Sequence, residues 1–248
     1  MNAKSDISPD SVSSTTLEEF RKVVRSRRSV RRFTDEPVPD EVLSDCLELA
    51  MLAPNSSNLQ PWEFFVVRTP DLKAKLAEAC LGQNAAKTAP VLVAVVARPD
   101  TWRQHSRMAL EQWPEEQMPG IVKKYYSKIA PIHYNQGPFG VLGVAKKAAG
   151  LVVGLSRPVP RGPYSVNEMK VWATKSTALA AENLMLALRA HGYDSCPMEG
   201  FDECRVRRLL SVPRKGLVTM IVAIGKRSEK GVYNRQYRFD SRELVHYL

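Results

Sequence analysis

Residues 91–97 read Val-Leu-Val-Ala-Val-Val-Ala and contain only apolar side chains, directly after Pro90. A strand with one solvated face alternates apolar and polar residues, whereas an uninterrupted apolar run of this length is typical of a strand covered on both faces. The run therefore predicts a buried central strand, with other structure packed against each side of its sheet.

Helices and two further strands are predicted on either side of this run. Thr16 and Glu19 have the spacing of a capping box, which opens a helix that ends near Ser26. Pro39 opens a second helix, which Pro54 stops. The remaining predicted elements are a strand over residues 64–67, a helix over 70–80, a long helix over 167–191 that Gly192 caps, and a strand over 217–224.

Residues 100–165 are predicted to form a helical excursion from this core. Helical pieces over residues 102–112, 121–129 and 141–153 alternate there with loops rich in Pro and Gly. Because no repeat or linker divides the chain, we expect one α+β domain over residues 15–248, after a flexible tail over residues 1–14. Five aromatic residues are candidates for a lid over a site, or equally for core or dimer contacts: Trp102, Trp113, Tyr125, Tyr126 and Phe139.

The charge of the chain is concentrated in two segments. With 248 residues, 44% of them hydrophobic, the chain can bury a core, so disorder is excluded as its main state. The formal net charge is +10; residues 21–32 carry +7 and residues 205–238 carry +9, which leaves −6 for the rest. Such a local surplus predicts a site for nucleic acid, an anionic membrane or a phosphorylated ligand.

The sequence contains no motif for several other kinds of site. The four Cys include no CxxC pair and the four His no HxxxH pair, so no metal site is expected. Motifs of the GxSxG, GxGxxG and P-loop types are absent. The N-terminus has no apolar signal-peptide core, and the apolar residues 141–155 are interrupted by Lys146 and Lys147 and are too few to span a bilayer. We therefore expect a cytoplasmic protein without a membrane partner.

The motif RRSVRRF, residues 27–33, is a candidate phosphate site. In an extended segment Arg27, Ser29 and Arg31 share one face, so two guanidinium groups and a hydroxyl converge. Arginine binds phosphate through paired, charge-assisted hydrogen bonds. A solvated basic helix end, favourable to the helix dipole, explains the same residues equally well.

Two further motifs are candidates for ligand contact. The loop within APNSSNLQPWEFFVV, residues 53–67, is rich in polar groups between a helix and a strand, although taken alone it is better explained as a capped connection with Trp62 as core filler. In SCPMEGFD, residues 195–202, Gly200 lets the backbone approach a flat ligand beside the Glu199 carboxylate. An ordinary turn with a structural glycine is the alternative.

The motifs taken together resemble the FMN-dependent nitroreductase family. RRSVRRF, APNSSNLQPW, GQNAAKTAPVLVAVVA, PMEGFD and a tail ending in RQYRFD occur in this order, and the resemblance covers about residues 17–98 and 167–245. It implies a homodimer with a three-layer α+β sandwich, in which helices flank a central, mostly antiparallel sheet. One FMN would lie in each of two sites at the subunit interface.

The resemblance also implies which residues contact the cofactor. Lys87 would stabilise negative charge at the pyrimidine edge of the flavin, and Glu199 would lie near the flavin N5; both are the expected catalytic residues. The implied cofactor-binding residues are Arg27, Arg28, Ser29 and Arg31 toward the phosphate and ribityl chain, Pro54, Asn55, Ser56 and Asn58 from the other subunit, Asn84 and Lys87 at the pyrimidine edge, Met198, Glu199 and Gly200 near N5, and Arg235 and Arg238 in the tail.

The implied activity is hydride transfer from NAD(P)H to FMN, followed in the same pocket by reduction of a nitroaromatic, a quinone or a related conjugated acceptor. Within the family, dehalogenation, flavin fragmentation and oxidation of peptide-derived rings remain alternatives, as does flavin storage without turnover. A nucleic-acid-binding protein, in which Tyr233, Tyr237 and Phe239 stack bases, is a remote alternative. We expect no nucleic-acid partner.

Overall fold

A single antiparallel sheet forms the centre of the molecule in the computed structural model, which describes residues 13–248. The central run is β2, as predicted, and all of its residues are buried. The predicted strand 64–67 begins two residues earlier, and the predicted strand 217–224 is one residue longer. The strands are β1 (Trp62–Val67), β2 (Val91–Ala97), β3 (Asp194–Met198) and β4 (Leu217–Gly225), in the order β1-β2-β4-β3.

Helices flank both faces of the sheet. Four predicted helices are confirmed within three residues at each end, as are the three helical pieces of the excursion. The helices are α1 (Ser14–Ser26), α2 (Asp40–Met51), α3 (Pro70–Ala79), α4 (Asn84–Thr88), α5 (Trp102–Glu111), α6 (Gly120–Lys124), α7 (Ala130–Tyr134), α8 (Val141–Val153), α9 (Val166–Ala190) and α10 (Glu203–Leu209), with a π-helical turn over Tyr125–Ile129 between α6 and α7.

The two faces of β2 pack against different helices. Leu92 and its alternate neighbours join a cluster with Leu76 of α3, whereas Val93 and its alternate neighbours join a cluster with Leu184 of α9. Because successive strand residues point to opposite faces, one apolar run supplies both clusters. The predicted three-layer α+β sandwich is confirmed.

The start of α1 differs from the prediction. Its N-cap is Ser13, whose side chain accepts a hydrogen bond from the backbone amide of Thr16, while the Ser13 backbone amide donates to the Thr16 hydroxyl. Glu19 instead pairs with Lys22 on the helix surface. Of the predicted tail, residues 1–14, the first twelve residues lie outside the described part of the chain. Helix α1 already begins at Ser14.

Part of the excursion is core. Trp102 and Tyr126 are buried in one cluster with Tyr134 and Trp172, which favours the core alternative for these two aromatic residues over the lid. Phe139 is fully exposed instead. Among residues 13–248, no helix combines the length and the apolar content needed to cross a bilayer.

Candidate functional site

The motif at residues 27–33 is not helical: it has isolated β-bridges at Ser29 and Phe33 and a bend at Arg31. α1 ends at Ser26, and Arg27 already has extended dihedral angles (φ −64°, ψ 125°). Ser29 forms a parallel bridge with Ser195 of β3, and the Val30 amide donates to the Ser195 carbonyl at 3.0 Å. Arg27 is the C-cap of α1, so Arg28 and Arg31 lie beyond the end of the helix.

The C-terminal tail folds back onto this motif. The Arg31 amide donates to the Gly231 carbonyl at 2.7 Å, and the Arg28 guanidinium donates to the Asn234 carbonyl. An open cavity of about 270 Å³ results between the two segments. Its lining residues are Arg27, Arg28, Ser29, Arg31, Val232, Tyr233, Asn234, Arg235, Gln236, Tyr237 and Arg238.

Electrostatics and hydrogen bonding in this cavity favour an anion. Five of its lining residues are arginines and none is acidic. The Arg27 Nη1 atom is buried and has no hydrogen-bond partner within the described residues. A buried charged donor without an acceptor is costly, so an oxygen of a bound phosphate is the natural partner for it. The residues of this cavity therefore fit the phosphate group of FMN.

The turn after β3 and the start of α4 lie beside the same tail. The Gln83 side-chain amide donates to the Gly200 carbonyl at 2.7 Å, and the Asn84 amide donates to the Tyr233 hydroxyl at 3.1 Å. The bond from Asn84, together with Arg32, lowers the pKa of Tyr233 from its ordinary value. The structure thus brings the predicted Asn84 against Tyr233, a lining residue of the arginine cavity, and the predicted Gly200 against Gln83, the neighbour of Asn84 in the chain.

The sequence does not reveal Gln83 and Tyr233 as residues of this site. Gln83 lies inside the motif GQNAAKTAP, and for Tyr233 the sequence indicates only a role in base stacking. Their partners are 117 and 149 residues away along the chain, so no local pattern reveals these contacts.

Three predicted residues lie away from the arginine cavity. Lys87, on the last turn of α4, is exposed and lines a second cavity of about 570 Å³ between α3 and α4. The Met198 side chain is buried in the core, so that only its backbone can face a ligand. Glu199 is exposed at the turn that follows β3.

The predicted loop at residues 54–58 lies at the opposite edge of the sheet from the arginine cavity. It precedes β1, one edge strand, whereas Ser29 adjoins β3, the opposite edge. Two strands separate these edges, a span of about 14 Å at ordinary strand spacing. The protomer therefore does not bring Pro54, Asn55, Ser56 and Asn58 to its own arginine cavity.

Tyrosines of the excursion hold that loop in place. The Ser57 hydroxyl lies 2.5 Å from the Tyr125 hydroxyl and 2.8 Å from that of Tyr134, while Tyr126 donates to the Ser57 carbonyl at 3.1 Å. Inside the loop, the Asn55 side chain accepts from the Gln60 amide at 2.8 Å. These hydrogen bonds hold residues 55–60 in one conformation, with polar groups at the surface.

Other basic residues, two of them in the charged segment 205–238, have partners within the protein. The Asp194 side chain, in a residue 4% exposed, accepts bonds from Arg189 at 2.9 Å and from Arg227 at 2.5 and 2.7 Å. Arg207 donates to the Pro213 carbonyl at 3.3 Å. These contacts account for part of the positive surplus without any ligand.

Comparisons with known proteins agree with this geometry. The model of the Nitroreductase family matches residues 24–226. A Thermus thermophilus protein named NADH dehydrogenase is 32% identical over 205 residues, covering 83% of this chain and 85% of that protein. A Bacillus subtilis protein whose name places it with the NAD(P)H nitroreductases, MhqN, is 27% identical over 94% of this chain and all of its own length. The crystal structure of a protein from Exiguobacterium sibiricum, described as a nitroreductase in complex with FMN, superimposes with a TM-score of 0.68 at 25% identity, covering 92% of this chain and 97% of that one.

Proposed function

This chain belongs to the nitroreductase family, and from that premise we propose that it is a homodimeric FMN enzyme that oxidises NAD(P)H and reduces a nitroaromatic, a quinone or a related conjugated acceptor. The observation that carries the proposal is the buried, unpartnered Arg27 Nη1 in a cavity lined by five arginines. Such a cavity suits a phosphate dianion, the one strongly charged group of FMN.

The residues of the chain bind and orient the cofactor, and FMN when bound supplies the hydride chemistry. Arg27, Arg31 and Arg238 would hold the phosphate, with Arg28, Arg235 and Ser29 beside it. Asn84 and the backbone at Gly200 would hold the ring edge, since both already hydrogen-bond to elements around the cavity. Lys87 would supply positive charge at the pyrimidine edge, where reduction increases negative charge.

The position of the 54–58 loop supports a homodimer. Its polar surface is fixed by Tyr125 and Tyr134 but lies at the opposite sheet edge from the arginine cavity. A second copy of the chain would therefore have to supply Pro54, Asn55, Ser56 and Asn58 to the flavin. In this arrangement each cofactor site draws on both chains.

A ping-pong mechanism follows from the chemistry of one cofactor in one pocket. NAD(P)H would reduce the flavin and leave, and the acceptor would then occupy the same face of the ring. Turnover with a panel of quinones and nitroaromatics, compared with oxygen consumption, identifies the acceptor class. Parallel lines in double-reciprocal plots are the expected kinetic pattern.

Purification tests the function directly. We expect a yellow protein with flavin absorbance that bleaches anaerobically when NADH or NADPH is added. A protein that stays colourless in excess FMN would overturn the proposal. Bound flavin that NAD(P)H does not reduce would favour storage, and salt-sensitive binding of single-stranded DNA without flavin would favour the nucleic-acid alternative.

A further inference from the structure

Residues 117–167, which cover most of the excursion and the first two residues of α9, contain no acidic residue. They form a third basic segment with a net charge of +7, in addition to the two segments that surround the arginine cavity. No part of it lines that cavity. Its basic residues are Lys123, Lys124, Lys128, Lys146, Lys147, Arg157 and Arg161.

Helix α8, in the middle of this segment, packs with its small residues inward. A Cβ atom on Gly143 would lie 1.8 Å from the Tyr164 carbonyl oxygen, and one on Gly150 would lie 2.8 Å from the Tyr164 hydroxyl. Both glycines therefore face the protein at close approach, and larger side chains are excluded from this side of the helix.

Another side of α8 is apolar and exposed. Val144 and Leu151, seven residues apart, have exposed fractions of 71% and 55%, and Leu155, just after the helix, is 89% exposed. Val141 and Val152, which point away from Gly143, are also exposed. A surface helix of a globular protein normally turns its apolar stripe to the core, so the orientation of α8 is inverted.

The apolar surface continues beyond the helix. A groove of about 320 Å³ runs between α7, α8 and residues 160–164, and Ile129, Ile132 and Ala149 are among its lining residues. Lys146 fixes this arrangement, because its ammonium group donates to the carbonyls of Ile132, His133 and Asn135 at 3.1, 2.9 and 2.8 Å. Phe139, just before α8, is fully exposed.

The basic residues of the segment lie at the surface of the protomer. Six of the seven are exposed, Lys146 being the exception. None of the six forms an ion pair within residues 13–248. Apolar side chains among unpaired positive charges complement a surface that is both apolar and anionic. A symmetric contact in which this segment meets its own copy would instead place like charges face to face.

We propose that residues 117–167 form a membrane-binding surface, which inserts the apolar face of α8 into the interfacial region of an anionic phospholipid bilayer. The sequence predicts no membrane partner because the apolar residues 141–155 are too few to span a bilayer. A helix that lies in the interface has no such requirement, because it buries only one face. Attraction between Lys or Arg and anionic lipids would add to that burial.

Sedimentation with lipid vesicles tests the proposal on the full-length protein. We expect binding to vesicles of phosphatidylcholine mixed with phosphatidylglycerol, weak binding to phosphatidylcholine alone, and weaker binding to the mixture at high salt. Equal sedimentation with both vesicle types, or with neither, would overturn it.

Matched variants locate the surface. Leu151→Glu should weaken vesicle binding at least about tenfold, because it places a charge in the inserted face. Lys147→Gln combined with Arg157→Gln should weaken it about fivefold per residue. Leu248→Glu and Lys75→Gln, which make the same changes at exposed positions outside the segment, should leave binding unchanged.

The alternative is that a second copy of the chain covers the apolar face of α8, and the same variants detect this. If Leu151→Glu changes the mass measured by light scattering while vesicle binding is unaffected, the face is an interface between copies and the proposal is wrong. Flavin content and thermal melting of each variant establish that it is folded, since Leu151 contacts neither the core clusters nor the arginine cavity.

Discussion

The Arg28 guanidinium donates a hydrogen bond to the backbone carbonyl of Asn234, 206 residues further along the chain. With the bond from the Arg31 amide to Gly231, it holds the C-terminal tail against residues 27–33. Arg235 and Arg238 line the cavity only because the tail is held there. The contact thus assembles two basic segments into one site.

Arg28→Ala should loosen the tail. Loss of a half-exposed, charge-assisted bond is expected to raise the opening equilibrium of residues 232–238 about fivefold, or about 1 kcal/mol. Hydrogen exchange measured by mass spectrometry reports this directly. Arg25→Ala, an exposed arginine on the last turn of α1, is the control and should leave exchange of the tail unchanged. Equal protection in both variants would contradict the role of Arg28.

Arg27→Ala should weaken FMN binding most among the arginine variants. It removes the buried Nη1 donor, and a hydrogen bond to a charged group contributes about 1.5–3 kcal/mol, or roughly 10- to 150-fold in affinity. Titration of the apoprotein by flavin fluorescence quenching measures the change. Arg208→Ala, exposed on α10, should bind FMN like the unaltered protein. An unchanged affinity for Arg27→Ala would remove it from the phosphate site.

Lys87→Ala should slow flavin reduction by NAD(P)H more than it weakens FMN retention. The reason is that the ammonium group stabilises charge that develops during reduction. Stopped-flow absorbance gives the rate and equilibrium dialysis the retention, with Lys75→Ala on α3 as the control. Recovery of the rate in Lys87→Arg would show that positive charge is what matters. An unaltered rate in Lys87→Ala would exclude it from the mechanism, in keeping with its place outside the arginine cavity.

Tyr134→Phe should destabilise the protein through the 54–58 loop. The buried Tyr134 hydroxyl lies 3.1 Å from Ser56 Oγ and 2.8 Å from Ser57 Oγ, and its removal leaves these hydroxyls with fewer partners. We expect a loss of about 1 kcal/mol and a Tm lower by about 2–4 °C. Tyr247→Phe, at an exposed tyrosine, should melt like the unaltered protein. If Tyr134→Phe also melts at the Tm of the unaltered protein, the loop does not depend on this contact.

One of the four cysteines should react with a thiol reagent in the native protein at pH 8. Burial raises the pKa of Cys46 to about 12 and that of Cys80 to about 11, and it also raises the pKa of Cys196. A raised pKa leaves little of the reactive thiolate at pH 8. Cys204 is exposed, so Cys204→Ser should abolish the native reaction, whereas denaturation should release all four thiols. Rapid reaction of the Cys204→Ser protein would contradict the burial of the other three.

The predicted elements that were confirmed have strong local patterns. The apolar run of β2 and the 25 residues of α9 each contain enough periodic side chains to define an element without tertiary information. The five residues of β3 include Pro197 and the seven of α10 are mainly charged, so neither was predicted. These short elements form because β3 pairs with β4 and α10 packs against α3.

The sequence by itself determined the α+β class, the buried central strand and the motifs that identify the family, because these depend on residues close together in the chain. Only the tertiary structure decided which charges share a site. It brings Arg28 to the tail, directs Arg227 to the buried Asp194, and turns the apolar face of α8 outward. The physical reason is that a side chain's partner depends on the path of the backbone across the sheet, and a local pattern of charge or hydropathy does not contain that path.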